Sequence, residues 1–365
     1  MRILLLSAYN TPSHDYWSKV LLDELSDCQF TYLKLPARYF SWRIRGNSLT
    51  WGTGKFEELE QEYDLILATS LVDITALRGF RPHLAKVPLI VYFHENQFAY
   101  PVSENQIDQV QSQLLSIYNA ACGDRIVFNS EFNRKTFIDG ASRLLKKLPD
   151  GVPNGLSKSI QSKTQVLPVP LRYEHIPPLA LEKQKPLNLL WNHRWEYDKQ
   201  PELLFLVLKK LKNQIPFNIA IVGQQFRQSP AVFDQIKSEL SEHITAWGYQ
   251  EAEDYQRLLN QSNVVLSTAL HDFQGLAIQD AMSYGCIPIC PNRVAYPEYI
   301  HPELLYEVNN KPSSELQLEY EADNMAQKLL SLHQRGFGDD NAQLKKISKN
   351  QLIPKYRMIF EQLTG

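Results

Sequence analysis

The chain has 365 residues, of which 44% are hydrophobic and 21% charged, and its formal net charge is −2 at pH 7. This length exceeds a single typical core and favours two domains of an ordinary globular protein. The near-neutral charge argues against nucleic-acid binding through overall charge, although it leaves room for a local basic patch.

Short apolar runs alternate with helical patterns in the first half of the chain, which indicates a parallel sheet wrapped by helices. The run at 3–7 is too short for a signal-peptide core, so we expect a buried strand there. Helices are expected at 15–25 and 107–120. The strands predicted for this half are 3–7, 30–35, 65–69, 89–93 and 125–129.

Six prolines between residues 148 and 178 predict a loop and linker with a hinge near residue 170. They are Pro149, Pro153, Pro168, Pro170, Pro177 and Pro178. The α/β pattern then resumes, with strands predicted at 187–191, 217–222, 244–248, 264–268 and 287–290. The helices predicted there are 201–213, 231–242, 252–261, 275–284 and 353–363.

These patterns predict two Rossmann-like domains facing each other across a cleft, with the ligand at the carboxyl ends of the strands. We expect the first domain to span residues 1–170 and the second to span 171–345. The last stretch, 346–365, is expected to form a helix that packs back on the first domain.

The cysteines and the lengths of the apolar runs bear on the compartment. Cys286 and Cys290 have a spacing that weakly suggests metal ligands, but Cys-Ile-Pro-Ile-Cys is typical of a buried strand. No run approaches the roughly 20 apolar residues that a membrane span needs. Reduced thiols without a secretion signal predict a cytoplasmic protein.

The segment Trp-Asn-His-Arg-Trp-Glu-Tyr-Asp-Lys-Gln-Pro, residues 191–201, joins a predicted strand to a predicted helix. It carries Arg194 and Lys199, with His193 beside them. Two fixed cations where a strand leads into a helix suggest a site for a phosphorylated ligand. The alternative is a solvated loop.

A second polar segment, residues 271–282, follows the strand predicted at 264–268. Gly275 allows the backbone to approach a ligand at a helix start. Asp272 and Asp280 are suited to ribose hydroxyls, which donate hydrogen bonds to carboxylates. Alternatively, Asp272 caps the helix and Asp280 is a surface acid.

Two segments of the first half also carry candidate residues. The polar run that begins at His94 directly follows the strand at 89–93 and is expected to face the cleft, unless it is a plain loop. Residues 34–55 contain five basic and no acidic residues, which suits RNA phosphates, while interleaved aromatics suit unpaired bases. The alternative for this stretch is a solvated loop with its aromatics in the core. Its basic residues are Lys34, Arg38, Arg43, Arg45 and Lys55, and its aromatics include Tyr39, Phe40, Trp42 and Trp51.

The segment 271–282 resembles the E-x7-E region of retaining glycosyltransferases with the GT-B fold, family 4 type. Asp272 and Asp280 match its two acidic positions, where the family usually has Glu. In that family an Arg and a Lys of the second domain bind the diphosphate of a sugar nucleotide, and Arg194 and Lys199 match them by position. His94 matches a His that lies by the sugar and phosphate.

Three segments together resemble a narrower group, the tRNA-queuosine mannosyltransferase family. They are L-P-A-R-Y-F-S-W-R-I-R at 35–45, H-E-N-Q-F-A-Y-P at 94–101 and W-N-H-R-W-E-Y-D-K at 191–199. H-D-F-Q-G at 271–275 and C-P-N-R-V-A-Y-P-E at 290–298 fit as well, so the resemblance runs from about residue 4 to about residue 306. The loop at 9–14 departs from the pattern because it lacks the Gly pair often found there.

This resemblance implies transfer of mannose from GDP-mannose to the cyclopentenediol of queuosine in a tRNA anticodon, with retention of configuration. It makes residues 1–170 the acceptor domain and 171–345 the nucleotide-sugar-binding domain. Its catalytic residues would be Arg194, Lys199 and His94. Donor contacts would come from Asp272, Gly275, Leu276, Asp280, His193, Ser13 and His14. Acceptor contacts would come from Glu95, Asn96, Gln97, Arg38, Trp42, Arg43 and Arg45.

No D-x-D motif follows a predicted strand, so we expect no obligatory metal, and the expected partners are a nucleotide sugar and tRNA rather than a membrane. Three alternatives stay open. One is the same chemistry on a lipid, polysaccharide or small-molecule acceptor. The others are a sugar-nucleotide epimerase, in which His94 and Glu95 supply acid and base, and a non-catalytic RNA-binding module.

Overall fold

A computed structural model describes residues 1–100, 109–148, 150–172, 185–226, 229–309, 315–336 and 346–365. Pro101, the last residue of the segment 94–101, lies outside the described residues. So do Pro149, Pro177 and Pro178 of the predicted linker. The chain divides into two compact units. One comprises Met1–Pro170 with Lys349–Gly365, and the other comprises Leu171–Ser348.

The first unit contains a parallel sheet of six described strands in the order β2-β1-β3-β4-β5-β6. Its central strands are continuous apolar runs because helices cover both faces of a parallel sheet. Its order reverses between β1 and β3, which is where ligands bind in open α/β sheets. The strands are β1 (Arg2–Asn10), β2 (Gln29–Pro36), β3 (Leu65–Thr69), β4 (Leu89–Phe93), β5 (Arg125–Phe128) and β6 (Thr164–Val166).

The helices of this unit connect successive strands. Two of them begin at capping side chains: Asp73 accepts from the Ala76 amide, and Ser130 accepts from the Asn133 amide. The helices are α1 (Pro12–Glu24), α2 (Phe40–Thr53), α3 (Ile74–Phe80), α4 (Gln109–Cys122), α5 (Glu131–Lys147) and α6 (Leu156–Ser162).

The second unit repeats the design with a parallel sheet in the order β12-β11-β10-β7-β8-β9. Here the order reverses between β7 and β10. The strands are β7 (Leu187–Trp191), β8 (Phe217–Val222), β9 (Ile244–Gly248), β10 (Val264–Leu266), β11 (Ile287–Pro291) and β12 (Leu305–Tyr306). The helices are α7 (Pro201–Leu211), α8 (Val232–Glu239), α9 (Ala252–Gln261), α10 (Leu276–Ser283) and α11 (Glu315–Arg335).

A last helix, α12 (Lys349–Thr364), belongs to the first unit. The indole of Trp17 on α1 donates a 3.0 Å hydrogen bond to the hydroxyl of Tyr356 on α12. That hydroxyl in turn donates to the carbonyl of Pro168 at 3.1 Å. Because these groups are buried, the hydrogen bonds fix the position of the helix as well as add stability.

The predicted parallel α/β architecture is confirmed, but two local interpretations were wrong. The stretch 148–178 is not only loop and linker, because α6 and β6 lie within it and β6 pairs with β5. The alternative given for the basic stretch 34–55, a solvated loop, is the second, because most of this stretch forms α2. Among the described residues, no helix is both long enough and apolar enough to cross a membrane.

Candidate active site

The two motifs of the second unit meet at the point where its strand order reverses. Lys199 follows β7 in a short turn, and its Nζ donates to the carbonyl oxygen of His271 at 2.7 Å. The same Nζ lies 3.3 Å from Asp272 Oδ2 and 3.4 Å from Asp198 Oδ2. The Lys199 side chain is only 8% exposed. Its charge is therefore fixed in a largely dehydrated site at the carboxyl ends of β7 and β10.

Asp272 has a second partner that the sequence motifs did not identify. The hydroxyl of Tyr296 donates to Asp272 Oδ2 at 2.8 Å and lies 2.7 Å from Ser267 Oγ. Burial alone would raise the pKa of the Asp272 carboxyl, but the charge of Lys199 and this hydroxyl help to lower it below its ordinary value. Asp272 is therefore an oriented carboxylate at neutral pH.

His193 is buried beside this cluster, with its ring edge-on to Trp191 at a centroid distance of 5.1 Å. Burial, together with the charge of Lys199, lowers the pKa of His193 to about 4. Its Nε2 has no hydrogen-bond partner among the described residues. A neutral imidazole with one unused nitrogen suits a bond to a ligand oxygen or hydroxyl.

Arg194 is more exposed than the residues of the buried cluster. Its side chain is 41% exposed, and Nη1 lies 2.8 Å from Glu196 Oε2. The two cations predicted as a pair thus differ in setting, since Lys199 is packed between acids and Arg194 reaches toward solvent.

Gly275 begins the helix that follows Asp272, and its backbone is left-handed at φ 73°. A Cβ there would lie 2.4 Å from the Tyr299 hydroxyl and 2.8 Å from Tyr296 Cε1. The glycine is thus required both for its conformation and for the packing of the ring that orients Asp272. Leu276 is the first residue of α10.

Asp280, on α10, is in a different environment from Asp272. Burial raises the pKa of its carboxyl to about 6, and Arg172 only partly opposes this shift. Its Oδ1 has no partner among the described residues. Burial, together with the nearby charge of Asp280, raises the pKa of the Cys286 thiol to about 12. The carboxylate is therefore placed to gain from a hydroxyl donor.

In the first unit, His14 and Glu95 form a contact between the start of α1 and the end of β4. His14 Nε2 lies 3.3 Å from Glu95 Oε2. The His14 ring stacks on the His94 ring at a centroid distance of 4.2 Å. Burial, with a contribution from His14, lowers the pKa of His94 well below its ordinary value. The structure therefore brings these three predicted residues together, with His94 neutral.

Asn96 and Gln97, which follow Glu95 in the segment 94–101, contact other parts of the first unit. The Asn96 amide donates to the Asn133 carbonyl at 3.0 Å and to Thr136 Oγ1 at 2.9 Å, and its oxygen accepts from the Phe98 amide. Gln97 is buried, and its carbonyl accepts from the side chain of Gln113. These contacts tie the loop after β4 to α4 and α5. Asn96 is thus occupied by the protein itself.

The remaining predicted residues lie near the amino ends of α1 and α2. Ser13 is exposed, with its hydroxyl 3.0 Å from that of Thr11. Arg38, Trp42 and Arg45 are exposed, whereas Arg43 is only 9% exposed. Burial makes Arg43 unsuited to the direct acceptor contact predicted for it.

Sequence reasoning missed Tyr296 and Asp198. Tyr296 lies in the segment 290–298, and the resemblance of that segment to the family could have indicated a role near the site. Asp198 lies within the segment 191–201, but only the fold shows that its carboxylate approaches Lys199. Among the described residues, no group of three or more His, Cys, Asp or Glu side chains could hold a metal ion.

Residues 2–171 match the family described as tRNA-queuosine alpha-mannosyltransferase N-terminal, and residues 173–324 match Glycosyl transferases group 1. The chain is 31% identical over 371 residues to the tRNA-queuosine alpha-mannosyltransferase of Drosophila melanogaster. That alignment covers 99% of this chain and 96% of the fly protein.

Solved structures show the fold. Sucrose-phosphate synthase from Thermosynechococcus elongatus matches with a TM-score of 0.72 at 12% identity, covering 100% of this chain and 99% of that one. The lipopolysaccharide outer core galactosyltransferase WaaB in its apo form matches with a TM-score of 0.62 at 12% identity, covering 99% and 100%. Anabaena HepE in complex with UDP and glucose also has a TM-score of 0.62, at 14% identity, covering 100% and 99%. These similarities show the GT-B fold.

Proposed function

The chain belongs to the tRNA-queuosine alpha-mannosyltransferase family, and we propose on that basis that it transfers mannose from GDP-mannose to the cyclopentenediol of queuosine in a tRNA anticodon. Support for this activity comes from a relative aligned over nearly the whole of both chains. The second family match, to glycosyl transferases group 1, supports the same class of chemistry in the second unit.

The observation that carries the proposal is the partly buried contact between Lys199 and Asp272. It joins a cation that suits a diphosphate to a carboxylate that suits sugar hydroxyls, 3.3 Å apart. Both follow strands on either side of the reversal in strand order, where open α/β sheets bind nucleotides. A nucleotide sugar has both groups, a diphosphate and hydroxyls, next to the bond that breaks.

The proposed chemistry follows from these charges. As the bond between the anomeric carbon and the phosphate oxygen breaks, negative charge grows on the diphosphate and positive charge on the sugar ring. Lys199 and Arg194 stabilise the diphosphate, and the low exposure of Lys199 strengthens its effect. The acceptor hydroxyl forms the new bond from the same face, and its proton passes to the leaving phosphate oxygen, so configuration is retained without a protein base.

We assign the remaining donor contacts on the same grounds. Neutral His193 offers Nε2 to a phosphate oxygen or sugar hydroxyl, and Asp280 accepts from the ribose hydroxyls. In the first unit, His94 with the paired His14 and Glu95 supplies polar groups for the sugar and the acceptor diol. The exposed residues around the start of α2 contact the tRNA.

The test is incubation of the purified chain with queuosine-containing tRNA and a panel of sugar nucleotides, followed by mass spectrometry of the nucleosides. We expect one added hexose on queuosine with GDP-mannose and none with UDP-sugars. Queuosine-free tRNA is the matched control and should stay unmodified. We also expect the activity to survive EDTA. A hexose placed on a lipid or polysaccharide extract, with queuosine untouched, would contradict the acceptor.

A further inference from the structure

The beginning of helix α2 carries two exposed aromatic rings between two exposed arginines. Tyr39 is 74% exposed and Trp42 is 56% exposed. Arg38 Cζ lies 5.8 Å from the centroid of the Tyr39 ring, and Arg45 is 58% exposed one turn further along. Single exposed aromatics are ordinary, but neighbouring ones bordered by charge mark an interaction site. We name Arg38, Tyr39, Trp42 and Arg45 the aromatic–basic surface.

Gly46 determines how Trp42 lies on this surface. A Cβ at Gly46 would lie 2.3 Å from Trp42 Cε2 and 2.6 Å from Cδ2 and Cζ2. The indole therefore lies on the backbone of its own helix, four residues further along, and only glycine leaves room for it there. Glycine inside a helix costs about 1 kcal/mol relative to alanine. The packing of the indole offsets this cost and leaves the other face of the ring exposed.

Tyr39 is fixed by its backbone. It precedes α2 with φ 54° and ψ 56°, a left-handed conformation that is uncommon for a residue other than glycine. Its carbonyl nevertheless accepts the first hydrogen bond of the helix, from the Arg43 amide at 2.9 Å. Such strain, of order 1–3 kcal/mol, is commonly found where a side chain must be placed for binding.

The charge around the two rings is positive. No acidic residue occurs between residues 34 and 55. Arg45 Nη1 lies 3.3 Å from Asp73 Oδ2, but Asp73 is buried at 1% exposure, so the guanidinium and not the carboxylate is at the surface. Arg43 is buried beneath. Flat exposed rings with cations beside them are the features that bind unpaired nucleic-acid bases, whereas an acidic peptide needs only the cations.

We propose that the aromatic–basic surface binds the unpaired bases of the acceptor tRNA's anticodon loop by stacking on Tyr39 and Trp42, while Arg38 and Arg45 contact the adjoining phosphates. This inference rests on the proposed function and deepens it, because it names the surface that distinguishes a single-stranded loop from duplex RNA. Gly46 is then a positioning residue that acts through Trp42.

The test measures the affinity of the full chain for an anticodon stem–loop RNA by fluorescence anisotropy. Trp42→Ala should weaken binding roughly five- to hundredfold, as expected for the loss of one stacked base. Gly46→Ala should weaken it comparably, although alanine favours the helix and thermal melting should show no loss of stability. In a Trp42→Ala background, Gly46→Ala should have no further effect. Trp42→Phe, which keeps a ring, should retain most of the affinity.

Tyr118→Ala is the matched control, because Tyr118 is 59% exposed on α4 of the same unit and should not matter. If Trp42→Ala and Gly46→Ala both bound the stem–loop as tightly as the wild type, the aromatic–basic surface would not be the binding site. The proposed mannose transfer would still stand. Equal affinity of the wild type for the stem–loop and for a duplex of the same length would also overturn the proposed role of this surface. A wild-type chain that binds no tRNA at all would instead remove the RNA acceptor from the proposed function.

Discussion

Lys199 and Asp272 are 73 residues apart in the chain, yet Lys199 Nζ lies 3.3 Å from Asp272 Oδ2 in a site where the lysine is 8% exposed. The contact joins the segment after β7 to the segment after β10, the two motifs that predict a phosphate site and a hydroxyl site. Because the lysine also lies near Asp198, two carboxylates depend on one cation. Lys199 therefore balances charge within the site, and we propose that it also binds the donor diphosphate.

Lys199→Met should reduce both folding stability and turnover. Removing the cation leaves Asp272 and Asp198 without it, and breaking a buried ion pair costs about 3 kcal/mol or more. We expect a lower unfolding midpoint in denaturant, measured by circular dichroism, and mannose transfer reduced at least about a hundredfold. Lys199→Met combined with Asp272→Asn should recover part of the stability and none of the activity. Recovered activity would contradict a role in binding the diphosphate.

Arg194→Ala should separate catalysis from stability. Its side chain is 41% exposed and its ion-pair partner, Glu196, is itself partly exposed, so the free energy of unfolding should change by less than about 0.5 kcal/mol. Loss of a cation at the diphosphate should lower kcat about a hundredfold. Single-turnover assays beside denaturant titrations provide the measurement. A wild-type transfer rate would show that Lys199 alone stabilises the leaving group.

Tyr296→Phe tests whether the hydroxyl that contacts Asp272 acts in the reaction. The Tyr296 hydroxyl orients Asp272 through a hydrogen bond to a charged group, and such a bond contributes about 1.5–3 kcal/mol. We therefore expect the affinity for GDP-mannose to fall about tenfold or more when the hydroxyl is removed. Without this hydroxyl the pKa of Asp272 should rise, and in an Asp280→Asn background, where Asp280 no longer titrates, the acidic limb of the pH profile of kcat/KM should move to higher pH.

Tyr299→Phe is the control for that variant. The Tyr299 hydroxyl is also buried, but it has no hydrogen-bond partner among the described residues. Its removal should leave the pH profile unchanged and have little effect on stability. If both variants shifted the profile equally, the effect would come from packing around Gly275 rather than from the bond to Asp272.

The predicted strands of the two sheets agree closely with the structure, because a parallel strand buried on both faces is a continuous apolar run. Edges were harder. Among the described strands, the three residues of β6 pair only with β5, and prolines follow them, so the composition favoured a linker. Helix α2 lacks a clear apolar stripe, since arginines and Gly46 interrupt it, and the basic residues dominated the interpretation.

The candidate site, too, could be predicted only in part from the sequence. Spacing along the chain predicted Arg194 and Lys199 as a pair, but it carries no information on burial, and the fold places one near solvent and the other between carboxylates. Likewise, Arg43 and Arg45 are two residues apart on α2, so the helix turns one inward and the other outward. Tyr296 reaches Asp272 only through the packing of the segment after β11.

Asp280 should make both stability and donor binding depend on pH. Burial raises the pKa of its carboxyl to about 6 from an ordinary value of 3.8. A raised pKa means that the folded state holds the proton more tightly than the unfolded state, so this group's contribution to stability is full below about pH 4 and is lost as the pH rises through about 6. Asp280→Asn should therefore unfold at a higher temperature than the wild type at pH 7 and lose this part of the pH dependence.

Binding of GDP-mannose should instead favour the ionised form of Asp280, because ribose hydroxyls donate hydrogen bonds to the carboxylate. We expect the affinity for GDP-mannose to fall as the pH drops below about 6, and binding at that pH to release protons. Calorimetry in two buffers of different ionisation enthalpy measures this release, and GDP-mannose suits the test because its diphosphate has no proton to lose in this range. Asp280→Asn should abolish the release. Proton release that persists in this variant would assign the titration to another group and remove Asp280 from the ribose site.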